Sequence, residues 1–165
     1  MTTRMAEEIE RNCVELGEEG RLIRMQLDEL MEDVPREKAA VVYDYELTGE
    51  PANAAKVLER LGEVSYQRLL EFEELAELLG YPRDTNPLDH TVQPRGYRVL
   101  SRIPRLPDAV IRHVVQDFGG LDAIIRASHR DLEAVGGVGA VRAREIREGL
   151  RRLQEHNLVD RYLQL

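Results

Sequence analysis

The strongest constraint in this sequence is an internal repeat. Leu100-Ser101-Arg102-Ile103-Pro104-Arg105-Leu106-Pro107 and Leu132-Glu133-Ala134-Val135-Gly136-Gly137-Val138-Gly139 share one pattern, offset by 32 residues. In each copy, apolar–x–x–apolar leads into a tight corner. A helical stripe follows: Val110, Ile111, Val114, Val115 and Phe118 in the first, Ala143, Ile146, Leu150 and Leu153 in the second. Between the copies, Phe118-Gly119-Gly120-Leu121 leads into a short helix through Ile124 and Ile125. The pattern is helical throughout, and an all-α fold is expected.

The second corner carries the chemistry. Glycines tolerate positive φ and let a ligand approach the backbone closely. The helix that follows begins with amides that have no intrahelical acceptor and a dipole that favours an anion. Donors to a phosphate are expected from Gly137 through Val138, Gly139 and Ala140. Arg142 lies on the flank near the corner, and Arg144 follows. Arg147 and Arg151 admit two readings, a phosphate-facing stripe or a solvated face paired through Glu148 and Glu155. The segment lacks the Lys-Ser/Thr ending of a nucleotide-binding loop, and no strand precedes it. In the first corner, Arg105 and Pro107 replace the two glycines. Pro107 has no N–H, so weaker contact is expected there, through the Arg105 side chain.

Charge agrees with this placement once it is divided. The net charge of −8 argues against nucleic acid if evenly spread. Residues 1–94 hold 10 basic and 22 acidic side chains, net −12; residues 95–165 hold 13 and 9, net +4. Breaker-rich stretches from Tyr81 to Pro87 and from Gln93 to Gly96 place a boundary within residues 81–95. The division expected is a helical linker over 1–92 and a second domain over 93–165.

In the acidic half, Met5, Ile9, Cys13 and Leu16, then Ile23, Leu27, Leu30, Met31 and Val34, predict a long helix from about Arg4 to Asp33, kinked near Gly17–Gly20. Shorter helices are predicted over Ala39–Leu47, over Pro51–Gly62, and from a Ser65 cap to Gly80. Glu71, Glu73, Glu74 and Glu77 read as a solvated face. Ser128 and Asp131 stand at capping-box spacing; the letters His129-Arg130-Asp131 lack the partners of a kinase loop. Cys13 is alone, so neither a disulfide framework nor a thiolate metal site is expected. The histidines show no ligand spacing. Aromatic residues are 5% with no Trp, which disfavours a stacking platform for single strands. No apolar run approaches a membrane span.

Several segments resemble the DisA family of bacterial DNA integrity scanning proteins. They are Ala6–Glu10, Glu15-Leu16-Gly17, Gly20–Ile23 and Gln26-Leu27, then Pro94–Ser101 and Ile103–Pro107, then Val141–Ile146 and Asp160-Arg161-Tyr162. The resemblance implies a helical spine followed by a tandem helix-hairpin-helix domain, similar to domain 2 of RuvA. It implies recognition of branched or junction DNA; a separate reading of the acidic helices is a scaffold that docks a repair or recombination protein. The family also carries a diadenylate cyclase domain that makes cyclic di-AMP from ATP with a divalent metal. Its Asp-Gly-Ala and Arg-His-Arg motifs do not occur here, so no catalytic residue, cofactor or metal site is carried over. A fragment of such a protein, or one lacking the cyclase, in a bacterial cytoplasm near the nucleoid, is the expectation. Its oligomeric state is left open.

Overall fold

Helix-forming stripes interrupted by Gly and Pro dictate a series of short helices, and the computed structural model contains these. It describes residues 2–82 and 92–163, with side chains described for 5–82, except Glu15 and Glu19, and for 92–155. Every regular element among the described residues is helical. They are α1 (Thr2–Glu15), α2 (Glu18–Met31), α3 (Val34–Tyr45), α4 (Pro51–Glu63), a 3₁₀ turn (Arg68–Leu70), α5 (Phe72–Leu78), α6 (Tyr97–Leu100), α7 (Asp108–Phe118), α8 (Leu121–Arg126), α9 (His129–Glu133) and α10 (Ala140–Leu163). Residues 83–91, most of the first breaker-rich stretch and His90 among them, lie outside the described residues, as do the side chains of His156 and of Asp160-Arg161-Tyr162.

The long kinked helix expected over 4–33 is two helices. The chain turns at Leu16-Gly17, and α2 packs against α1. Gly20 permits this approach: a Cβ there would lie 2.1 Å from the Cys13 carbonyl oxygen. Cys13 is buried in the corner, while Val14, Leu22, Met25 and Leu30 stay exposed. The helix expected from Ser65 to Gly80 is also broken. A 3₁₀ turn precedes an extended Glu71, and α5 begins only at Phe72. Leu70 and Phe72, on either side of the break, are exposed, so no burial rewards a continuous helix there. The Arg68–Glu74 ion pair spans the break. Pro35 sits in the first turn of α3, where a missing N–H costs nothing.

The main core gathers Leu100, Ile103, Leu106, Val114, Leu132, Val135, Ile146 and their neighbours, and it includes Ala40 of α3. A smaller core joins Val42 to Ala54 and Val57 of α4. Thus α3 is shared. One side packs on the repeat and the other on the acidic half.

Two polar contacts join α3 to the repeat. Asp44 Oδ1 accepts the Gly96 and Tyr97 N–H groups, each at 2.7 Å, and Oδ2 accepts that of Arg98 at 3.1 Å. These are the free amides at the start of α6. Burial pushes the Asp44 carboxyl above its usual range, and the three N–H donors oppose that shift. In return, Arg95 donates to the carbonyls of Tyr43, Asp44 and Leu47 at the end of α3. The exposed pairs Arg36–Asp108 and Glu37–Arg102, each 3.5 Å, add about 0–1 kcal/mol apiece.

Candidate nucleic-acid interface

The two copies correspond residue by residue. Leu100 and Leu132 are both 0% exposed. Ile103 N–H donates to Leu100 O at 3.0 Å, and Val135 N–H to Leu132 O at 3.2 Å. Leu106 N–H reaches Ile103 O, as Val138 N–H reaches Val135 O. Ile111 N–H closes the first turn of α7 on Pro107 O at 3.1 Å, and Ala143 N–H closes that of α10 on Gly139 O at 3.0 Å. At the apex, Arg105 has φ 62° and Gly137 has φ 82°. Both corners therefore need the left-handed conformation, which disfavours a Cβ.

The second corner is the open one. The N–H groups of Gly137, Gly139, Ala140 and Val141 find no acceptor among the described residues, and all four residues are exposed. Val138 is different. Its side chain is 4% exposed and its N–H is committed to Val135 O at 3.0 Å. Of the four residues expected to donate, Val138 holds the corner onto the core, and the others face outward. Arg142 Nη1 donates to Gly137 O at 2.8 Å, so its guanidinium lies across the corner. His113 of α7 supports the other side, 2.8 Å from Gly136 O; a carbonyl only accepts, so Nδ1 carries the proton. The sequence signal for His113 was weak, because its partner is 23 residues away.

The first corner offers less. Arg105 is exposed at its apex, but Pro107 brings no N–H. Asp108 opens α7 at the position matching Ala140, where its carboxylate would repel a phosphate. Arg144, Arg147 and Arg151 share another flank of α10. They line a cleft against α8 and α9. Arg147 is tied to the Ala127 carbonyl, and Arg151 pairs with Glu155 at 2.7 Å. Two residues on from Arg142, Arg144 lies about 200° around α10, on the side of Arg147 and Arg151 and away from the corner.

The Ser128–Asp131 capping box is present. Ser128 N–H donates to Asp131 Oδ2 at 2.8 Å, and Asp131 N–H to Ser128 Oγ at 3.3 Å. The Ser128 hydrogen bonds hold the Asp131 carboxyl below its usual range. No group of His, Cys, Asp or Glu among the described residues could hold a metal ion. No described helix is long and apolar enough to cross a membrane.

Fold and site define an all-α chain with a doubled helix–corner–helix unit, one of whose corners presents a set of free amides beside an arginine. Residues 1–88 match the family described as the DisA bacterial checkpoint controller linker region. The chain is 45% identical over 99% of its length to the DNA integrity scanning protein DisA of Streptomyces griseus. It is 46% identical over 94% of its length to that of Carboxydothermus hydrogenoformans. It belongs to the DisA family. It spans 44% of the length of both relatives.

Proposed function

We propose that this chain binds branched or junction DNA without reading sequence, as the DNA-sensing part of a DNA integrity scanning protein. In this reading the second half is a tandem helix-hairpin-helix domain over residues 93–165, and residues 1–92 are its linker. The observation that carries it is the set of free N–H groups at Gly137, Gly139, Ala140 and Val141 opening α10, with Arg142 laid across them. Such donors suit the oxygens of a backbone phosphate, and phosphate contacts position a duplex without specifying bases. Arg105 adds a side-chain contact from the first copy. The relatives' name, DNA integrity scanning protein, agrees with this use.

The test is a gel shift with a four-way junction. Gly137→Asp places a carboxylate where the phosphate would sit, and it should abolish the shift while circular dichroism stays that of the parent. Normal junction binding by a folded Gly137→Asp protein would make the assignment wrong. No residue is assigned to diadenylate cyclase chemistry, and incubation with ATP and Mg²⁺ should yield no cyclic di-AMP.

A second reading, protein docking, is favoured by the exposed Val14, Leu22, Met25 and Leu30 of the α1–α2 pair. Light scattering tests it. A mass above 18.9 kDa that Val14→Asp with Leu30→Asp returns to the monomer would support it.

A further inference from the structure

The cleft between α10 and the α8–α9 segment is not used by the hairpin. It measures about 430 Å³, within the roughly 300–1,000 Å³ of small-ligand sites. Arg144, Arg147 and Arg151 line it, and Ile124, Ile125 and Leu150 form its apolar wall. Arg142 and Arg151 are about two and a half turns apart on α10, which puts them on opposite sides of the helix; Arg144 and Arg151 are about two turns apart, on the same side. A duplex held at the Arg142 corner therefore meets a different surface from this cleft.

The charges in the cleft are arranged for an anion. The Arg144 guanidinium makes no hydrogen bond or ion pair with the described residues. Arg147 is held in place by the Ala127 carbonyl, which leaves its other N–H groups directed elsewhere. Arg151 is shared with Glu155 on the outer side. Glu148 in the lining and Glu155, paired with Arg151 at its edge, stand against three guanidiniums and leave a net +1. That surplus, with the Arg144 guanidinium unpaired, attracts a phosphate. Glu148 itself can accept from hydroxyl or amino groups, and Ile125, exposed above the buried Ile124, offers an apolar face for a ring. A bare phosphate would leave the apolar wall empty. A long duplex is too broad to enter.

We propose that this cleft binds a nucleoside 5′-phosphate, with the phosphate between Arg144 and Arg151 and the nucleoside against Ile125. The same chemistry occurs in a free mononucleotide and at the 5′ end of a DNA strand.

Isothermal titration calorimetry on the whole chain with AMP tests this. Saturable binding is expected, weakened about tenfold or more by Arg144→Ala and by Arg151→Ala, both surface changes. Ile125→Ser should also weaken it, and inorganic phosphate should bind at least about tenfold less tightly than AMP. Arg142→Ala and Gly137→Asp, at the other site, should leave AMP binding unchanged, so failure of the DNA reading does not remove this one. A short strand that binds only when 5′-phosphorylated, and outcompetes AMP, would make the strand end the source; AMP binding that such a strand does not displace would make it the free nucleotide. Absence of saturable binding at millimolar AMP, or binding indifferent to Arg144→Ala and Arg151→Ala, would overturn the proposal.

Discussion

Asp44 and Arg95 exchange helix ends. The Asp44 carboxylate, on the last turn of α3, takes the three free N–H groups that open α6. The Arg95 guanidinium, just before α6, takes the carbonyls that close α3. Each residue satisfies the other helix's unpaired terminus, with the sign of charge the helix dipole favours. In the second copy Ser128 does this work locally for α9. In the first copy the capping position is Gly96, which has no side chain to offer, and the carboxylate comes from more than fifty residues away.

Asp44→Ala should destabilise the chain by about 1–3 kcal/mol, since it leaves buried N–H groups unpaired. Asp44→Asn should cost less. Its amide oxygen can keep Gly96 and Tyr97, which share one carboxylate oxygen, while its NH₂ faces the Arg98 N–H. Urea midpoints of the three proteins should follow that order. Equal stability of Asp44→Ala and the parent would contradict the clamp.

The two apex residues respond oppositely to exchange. Gly137→Arg forces a Cβ into the left-handed region and should cost about 1–2 kcal/mol. Arg105→Gly relieves the same strain at φ 62° and loses only chain entropy, so stability should hold within about 0.5 kcal/mol or rise. Thermal melts of both variants decide the matter.

Gly149 lies in α10 where Ile103 of the first corner presses on it. A Cβ there would come 2.8 Å from Ile103 Cγ1 and 3.0 Å from Cδ1. Gly→Ala inside a helix normally adds about 1 kcal/mol, but Gly149→Ala should destabilise, because Ile103 must move. Gly62→Ala, where a Cβ meets nothing within 4 Å, should stabilise by a few tenths to about 1 kcal/mol.

If the corner grips phosphate, junction affinity should fall with salt along a log–log line whose slope is about 0.9 per phosphate neutralised. Arg142→Ala should lower that slope by about one, with no change in sequence preference. An unchanged slope would confine Arg142 to holding the Gly137 carbonyl.

Acid should loosen the Ser128 box. Its hydrogen bonds lower the Asp131 pKa in the folded chain. The contribution is therefore present above the usual 3.8 and is lost as pH falls through the depressed value. A carboxyl-carbon NMR titration should place Asp131 below 3.8, and Ser128→Ala should move it upward.

Much of this molecule is local and so was legible in the residues themselves. The 32-residue repeat, the buried Leu100 and Leu132, the Pro51 helix and the Ser128 box follow from periodicity and capping chemistry within a few turns. Gly137 at an apex followed from the corner pattern alone. Gly17 and Gly20 marked the first interruption as a kink, but its being a full turn, and the break at Glu71, were not legible, because a helical stripe continues in sequence across both and only packing decides whether continuity is rewarded. Tertiary contact likewise turned Val138 inward and committed its amide. It tied Arg147 to the Ala127 carbonyl, twenty residues away. It also attached α3 to the repeat through Asp44, a residue with no sequence signature because its partners are backbone amides. Pattern along the chain specified which segments become helices and which corners need glycine. The fold alone decided which charges meet, since that depends on how whole helices pack.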